Sequence, residues 1–181
     1  MTSILKVSTL QDPTNSITAL SIDSTGRVDM NASYVFDQWY LNANHTTNGD
    51  SDLTAWGQVA WTGTGRVSSM AVSSGIFTFP QTGLYKVTFQ FATRSDASDI
   101  MTGQIHVTTD NNAFNQIASI DGGDTGSTNG SATGSAFINV TDVSNVKVKF
   151  RATSMDTDSY VHGHSTVTRT SVMFERVAPA Q

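Results

Sequence analysis

Apolar and polar positions alternate with a period of two along most of this chain, and no helical period separates the alternating stretches. Tyr85, Val87, Phe89 and Phe91 point one way between Leu84 and Ala92, while Lys86, Thr88 and Gln90 point the other, which is the signature of a half-buried strand. Val146, Val148 and Phe150 against Lys147, Lys149 and Arg151 repeat it, bounded by turn residues 142–145 and 154–156. Tyr34 to Leu41 reads as an aromatic-rich strand followed by a polar loop, His45 to Asp52. Trp56 to Trp61 and Val67 to Val72 flank the glycine-punctuated turn 62–66. Further strands are expected at Gln104 to Thr108, Phe114 to Ile120, Ser135 to Val140, Tyr160 to Val167 and Ser171 to Val177. Eight to ten strands joined mostly by short turns specify an all-β fold, an antiparallel β-sandwich or jelly roll.

The first thirty residues follow a different pattern. Ile4 to Val7 is a short strand, residues 11–15 are a turn cluster, and Ile17 to Ile22 alternates before Asp23-Ser24-Thr25-Gly26 turns into Arg27 to Met30. Such a hairpin is too short to bury both faces alone. It either adds an edge to its own domain or serves as an arm held by a partner. The expected division is an anchoring arm at 1–31, with Ile4, Leu5, Val7, Leu10, Ile17, Leu20 and Ile22 as anchoring residues, and a sandwich domain at 32–181. Residues 121–134 hold five glycines and no large apolar side chain, so an exposed loop or contact loop is expected there.

Composition narrows the function classes. The chain has 181 residues, of which 22 are Ser and 26 Thr, against one Glu and four Lys. That balance favours strands over helices and a surface solvated by hydroxyls. A net charge of −5 with ten scattered cations offers no stripe for phosphates, so no nucleic-acid partner is expected. No apolar run is long enough to span a bilayer, and the start has no secretory h-region; synthesis in a cytoplasm and no membrane partner are expected. The absence of Cys removes disulfides and thiolate chemistry.

Candidate catalytic chemistry is thin. Asp124-Thr125-Gly126 matches the short motif of aspartic proteases, but that chemistry needs two carboxylates sharing a proton and there is no second copy. No nucleophile elbow and no phosphate-cradling loop occur. His162 and His164 are weak metal candidates, because residues i and i+2 of a strand share a face and a threefold axis would present each ring three times. The expectation is a protein that is not an enzyme and carries no cofactor.

Gly75-Ile-Phe77-Thr-Phe79-Pro80-Gln-Thr-Gly83-Leu84-Tyr85 is the most specific stretch. Phe77 and Phe79 share one face of an incoming strand, Pro80 ends the ladder, Gly83 permits a bend and Tyr85 opens the next inward row. The segment resembles the strand-corner-strand motif of the tumour necrosis factor and complement globular-head (C-one-q) jelly rolls, with Gly75, Phe77, Pro80, Gly83 and Tyr85 at matching positions. Residues 172–177 are similar to the last strand of that family. The resemblance implies a homotrimer packed about a threefold axis.

The arm carries a second resemblance. Ser3 to Val7, Leu10 to Asp12 and Ser21 to Val28 look like the start of virion proteins from tailed bacteriophages of marine bacteria. Together the two resemblances imply a virion-surface protein, a capsid decoration (cement) trimer bound to the major capsid protein. The alternative is a short tail fibre or fibre tip, joined to a tail or fibre adaptor protein, that binds a host receptor through Trp56, Trp61, Asp121 and Asp124 in the contact loops.

Overall fold

The computed structural model describes residues 9–11, 14, 18–22, 24–26, 28–29, 34–58, 66–67, 69–95, 98–122, 124–125 and 129–181. The chain divides into two compact units, Met1–Tyr34 and Val35–Gln181. In the first, β1 (Thr9–Gln11), β2 (Thr18–Ile22) and β3 (Val28–Asp29) form a three-stranded antiparallel sheet in the order β1-β2-β3. The β2–β3 turn passes through Gly26 at φ +83°, and Ile22 pairs with Val28 behind it. The strand expected at Ile4 to Val7 lies outside the described residues.

The second unit is a sandwich of two antiparallel sheets, and no helix occurs among its described residues. One sheet runs β12-β11-β15-β8-β7, built from β7 (Ala71–Ser73), β8 (Ile76–Thr78), β11 (Thr102–Thr108), β12 (Asn115–Asp121) and β15 (Lys147–Met155), with β5 (Gly49–Asp52) also on β15. The other runs β14-β9-β17-β4-β6, built from β4 (Phe36–Leu41), β6 (Trp56–Gln58), β9 (Gly83–Arg94), β14 (Asn129–Val140) and β17 (Ser171–Ala178), with β16 (Tyr160–Val161) on β9. A two-stranded pair joins β10 (Ser98–Asp99) to β13 (Asp124–Thr125). After the β11–β12 hairpin, the long strands β14, β15 and β17 alternate between the sheets, and the all-β jelly-roll expectation holds.

The alternation read from the sequence supplies the core. Tyr85, Val87, Phe89 and Phe91 of β9 and Val148 and Phe150 of β15 are fully buried. Phe77 lies at the centre, with Trp39, Trp56, Phe150 and Phe174 rings 5.1 to 5.7 Å away, three of the four edge-on. Such contacts add to the area term.

The corner motif works as its residues suggest. Phe79 packs on Tyr85 at 4.6 Å, and the Tyr85 hydroxyl donates to the Gln81 carbonyl at 2.9 Å, closing the turn. Burial pushes that hydroxyl's pKa up to about 12. A side chain at Gly75, where φ is +80°, would stand 2.6 Å from the Leu53 carbonyl, and one at Gly83 would collide with Arg176. The Arg176 Nε crosses that gap to donate to the Thr82 carbonyl at 2.9 Å.

Three expectations are corrected. The polar loop at His45 to Asp52 contains β5, because Asp52 pairs opposite Arg151 and receives both Arg151 and Lys149. The strand expected at Tyr160 to Val167 stops at Val161, where the chain leaves β9. The glycine-rich segment 121–134 is not one long loop, since Asn129–Gly134 is the first half of the twelve-residue β14. Its glycines serve close approach: a Cβ at Gly134 would lie 2.5 Å from the Ile120 side chain, and one at Gly130 would lie 2.6 Å from the Gly122 carbonyl.

Candidate interaction surface

The inner faces of the two sheets fill the core, which leaves two outer faces and four edge strands, β12 and β7 in one sheet and β14 and β6 in the other. On the β14-β9-β17-β4 sheet the register sets Phe137 beside Lys86, Lys86 beside Glu175, Glu175 beside Phe36, and Phe36 beside Val67. All five face outward, in antiphase to the buried Val87, Phe174 and Asp37. Phe137 is 64% exposed, Val67 53% and Phe36 38%. Half-buried Met173 and Gln38 continue the face in the next row. The Lys86–Glu175 pair crosses its middle at 3.9 Å, a surface ion pair of small worth.

The β12 edge of one sheet and the β14 edge of the other lie together, where Gly134 of β14 meets Ile120 of β12. Exposed edges are ordinarily protected by Lys, Pro or a covering segment. Here β12 and β14 contain no Lys, Arg or Pro, and Asp121 is their single charge. Exposed Ile117 and Phe137 add apolar surface to that bare edge. The sequence carried a signal: Phe137 and Ile138 are adjacent on one strand, so one of them must face outward.

Beneath the face, β4 carries a buried carboxylate. Asp37 Oδ2 accepts from the Trp39 indole N–H at 2.8 Å, the Met70 backbone N–H at 2.8 Å and Gln58 Nε2 at 3.4 Å. Its Oδ1 is buried with no hydrogen-bond partner among the described residues. The carboxylate ties β4 and β6 to the chain entering β7 in the opposite sheet.

The residues singled out from the sequence fall as follows. Ile4, Leu5, Val7, Ile17 and Trp61 lie outside the described residues. Leu10 and Ile22 are exposed on their small sheet, and Leu20 pairs with Leu10. Trp56 offers no contact surface: it is buried, edge-on to Phe77 and Phe150, and its N–H donates to the Leu53 carbonyl at 2.8 Å. Asp121 is exposed at the end of β12 and accepts from Thr102 Oγ1 at 3.2 Å, while Asp124 pairs with Asp99 in the ladder.

The two weak metal candidates are engaged otherwise. His162 Nε2 lies 2.9 Å from Asn129 Oδ1, and its Nδ1 lies 3.5 Å from Arg169 Nη1. Burial, then the Arg169 and Arg94 charges, hold its pKa below the usual histidine range. His164 is exposed and accepts the Thr166 backbone N–H on Nδ1. No group of three metal-ligating side chains occurs among the described residues. One pairing escaped the sequence reading: His45 Nε2 lies 2.7 Å from Ser51 Oγ. Burial lowers the His45 pKa against the opposing pull of Asp52. A nucleophile–base pair needs a third group to orient its base, and among the described residues none bonds the other ring nitrogen.

No family model and no curated protein matches the chain. Solved structures do. The tumour necrosis factor Eiger of S. frugiperda superposes with a TM-score of 0.65 at 14% identity, over 82% of this chain and 96% of that one. Murine APRIL at pH 5.0 gives 0.61 at 10% identity, over 80% and 99%. The globular domain of a zebrafish complement 1qA protein gives 0.47 at 12% identity, over 81% and 96%. The fold rests on the first two: this chain is a jelly roll of the kind found in the tumour necrosis factor structures.

Proposed function

We propose that the chain is a non-enzymatic structural protein of a bacteriophage virion, a homotrimer standing on the particle surface as a capsid decoration protein. The observation that carries the trimer is the pairing of an exposed apolar face with a bare edge on one subunit. A face of Phe36, Val67 and Met173 and an edge of β12 and β14 are different surfaces. Each therefore finds its complement on a neighbouring copy, and a head-to-tail contact of that kind closes as a ring when the rotation permits. The corner motif's resemblance to trimeric jelly rolls favours three copies.

The virion role draws its support from the arm. Its sequence resembles the start of tailed-phage virion proteins, and residues 1–34 form a unit of their own. In this reading the arm binds the major capsid protein and the jelly roll projects. Deleting residues 1–30 leaves a folded trimer that no longer attaches to particles. A truncated protein that still decorates them overturns the assignment of anchoring to the arm. Electron microscopy of labelled particles separates head from tail: label at the tail tip replaces the decoration role with that of a receptor-binding fibre.

A further inference from the structure

The end of the sheet face remote from Phe137 is built of hydrogen-bond donors. Strand β9 ends at Arg94, which pairs with Asn129 on β14 and with Tyr160 on β16, so these three side chains neighbour one another on the outer face. His162 joins them: its backbone N–H donates to the Ala92 carbonyl at 2.8 Å, and its ring reaches Asn129 while the Tyr160 ring stands edge-on at 4.9 Å. From Lys86, in the row of Phe137, to Arg94 is eight residues of strand, about 26 Å.

The bonds around the imidazole fix what the site presents. A guanidinium only donates, so His162 Nδ1, facing Arg169 Nη1 at 3.5 Å, is the acceptor. The ring proton is then on Nε2, which donates to Asn129 Oδ1 at 2.9 Å. With its oxygen occupied, Asn129 has amide N–H groups that bond nothing among the described residues. Arg94 makes no hydrogen bond or ion pair among the described residues, and the bond of Arg169 is to a neutral nitrogen. The other described arginines each reach an oxygen: Arg66 that of Gln58, Arg151 that of Asp52, Arg176 that of Thr82. Of the two described arginines without one, Arg169 faces the His162 ring and the Arg94 charge also bears on it, in a chain whose net charge is −5.

We propose that Arg94, Arg169, Asn129 and Tyr160 form a binding site for an oxyanion, a carboxylate or sulfate group, with His162 as the positioning residue that orients the Asn129 amide. Two guanidinium forks, an amide and a phenol supply the donors, and guanidinium forks match the geometry of planar and tetrahedral oxyanions. All five residues belong to one subunit, so the site does not depend on trimer formation.

The test is calorimetric titration of the full chain with sodium sulfate and with sodium acetate, against sodium chloride at matched ionic strength. Saturable binding of sulfate or acetate that chloride does not reproduce is expected. The stronger of the two identifies a sulfated or a carboxylate-bearing source. Arg94→Gln and Arg169→Gln each weaken binding about tenfold or more, and Arg94→Lys, which keeps the charge without the fork, is intermediate. Asn129→Asp keeps an acceptor for His162 but replaces the amide donors with an oxygen, so it abolishes binding while the melting temperature in chloride is unchanged. Equal heats for sulfate, acetate and chloride, or arginine variants that bind as the parent does, overturn the proposal.

Discussion

Replacing Phe137 with Ser tests the trimer where the geometry is most explicit. A buried Phe contributes roughly 150–250 Å², and 64% of this side chain is exposed in the isolated subunit, so packing against a neighbour covers about 130 Å². At about 25 cal/mol per Å² that is about 3 kcal/mol per contact. A ring of three has three contacts, so the substitution removes about 9 kcal/mol from assembly, close to 6.6 decades in the trimer–monomer equilibrium constant. Because that constant scales with the square of the monomer concentration, the dissociation midpoint rises by about 3.3 decades, roughly 2,000-fold. Sedimentation equilibrium across a dilution series reads this directly: the parent holds a mass three times 19.3 kDa at concentrations where Phe137→Ser is monomeric. The urea midpoint of the monomeric variant shows whether the subunit itself stays folded, which it should, since the lost side chain is mostly outside the core. A variant that trimerises as the parent does, or a parent that is monomeric throughout, refutes the reasoning.

Three other outcomes follow from the core and its titrating groups. Asp37→Ala strands the Trp39 indole and Met70 backbone donors inside the protein and costs about 2–6 kcal/mol at one to three per unsatisfied group, read by urea denaturation. Gly103→Ala places a Cβ 2.7 Å from the Phe91 ring and destabilises by about 1–3 kcal/mol through overpacking; an unchanged urea midpoint would mean that the sheets shift apart freely. His45, His106 and His162 all have pKa values held below 6.5, each chiefly by burial, so the unfolded chain binds more protons than the native one as pH falls below that value. Stability is therefore full above pH 6.5 and declines through the acid side of it, and melting temperatures that stay flat from pH 7 to pH 5 contradict that.

The strands of the core were legible because alternation is a local property: Tyr85 to Phe91 and Val146 to Phe150 declare their buried faces without reference to any neighbour. The corner was legible for the same reason, since its turn is closed locally by the Tyr85 hydroxyl on the Gln81 carbonyl, although the Arg176 side chain that crowds Gly83 comes from the distant β17. Trp56 was misjudged because an aromatic residue beside a glycine-rich turn reads alike whether it faces solvent or Phe77. Residues 129–134 were misjudged because small residues signal a loop when their neighbours are unknown. Only the close passage of Ile120 and Gly122 makes the same glycines a requirement of a strand.

The sequence by itself determined that the chain folds as β-strands with one apolar face each, that two such faces close a sandwich, and that the corner at Phe77 to Tyr85 turns one strand into the next. Strand pairing lay beyond it, since partners such as Phe36 and Glu175 are 139 positions apart and the period of two says which face is buried but never against what. Tertiary structure therefore decided the rest: that Phe36, Val67 and Phe137 share one outer row, that Asp37 turns inward because buried N–H groups await it there, and that Arg94 and Arg169, seventy-five positions apart, bear on a single imidazole.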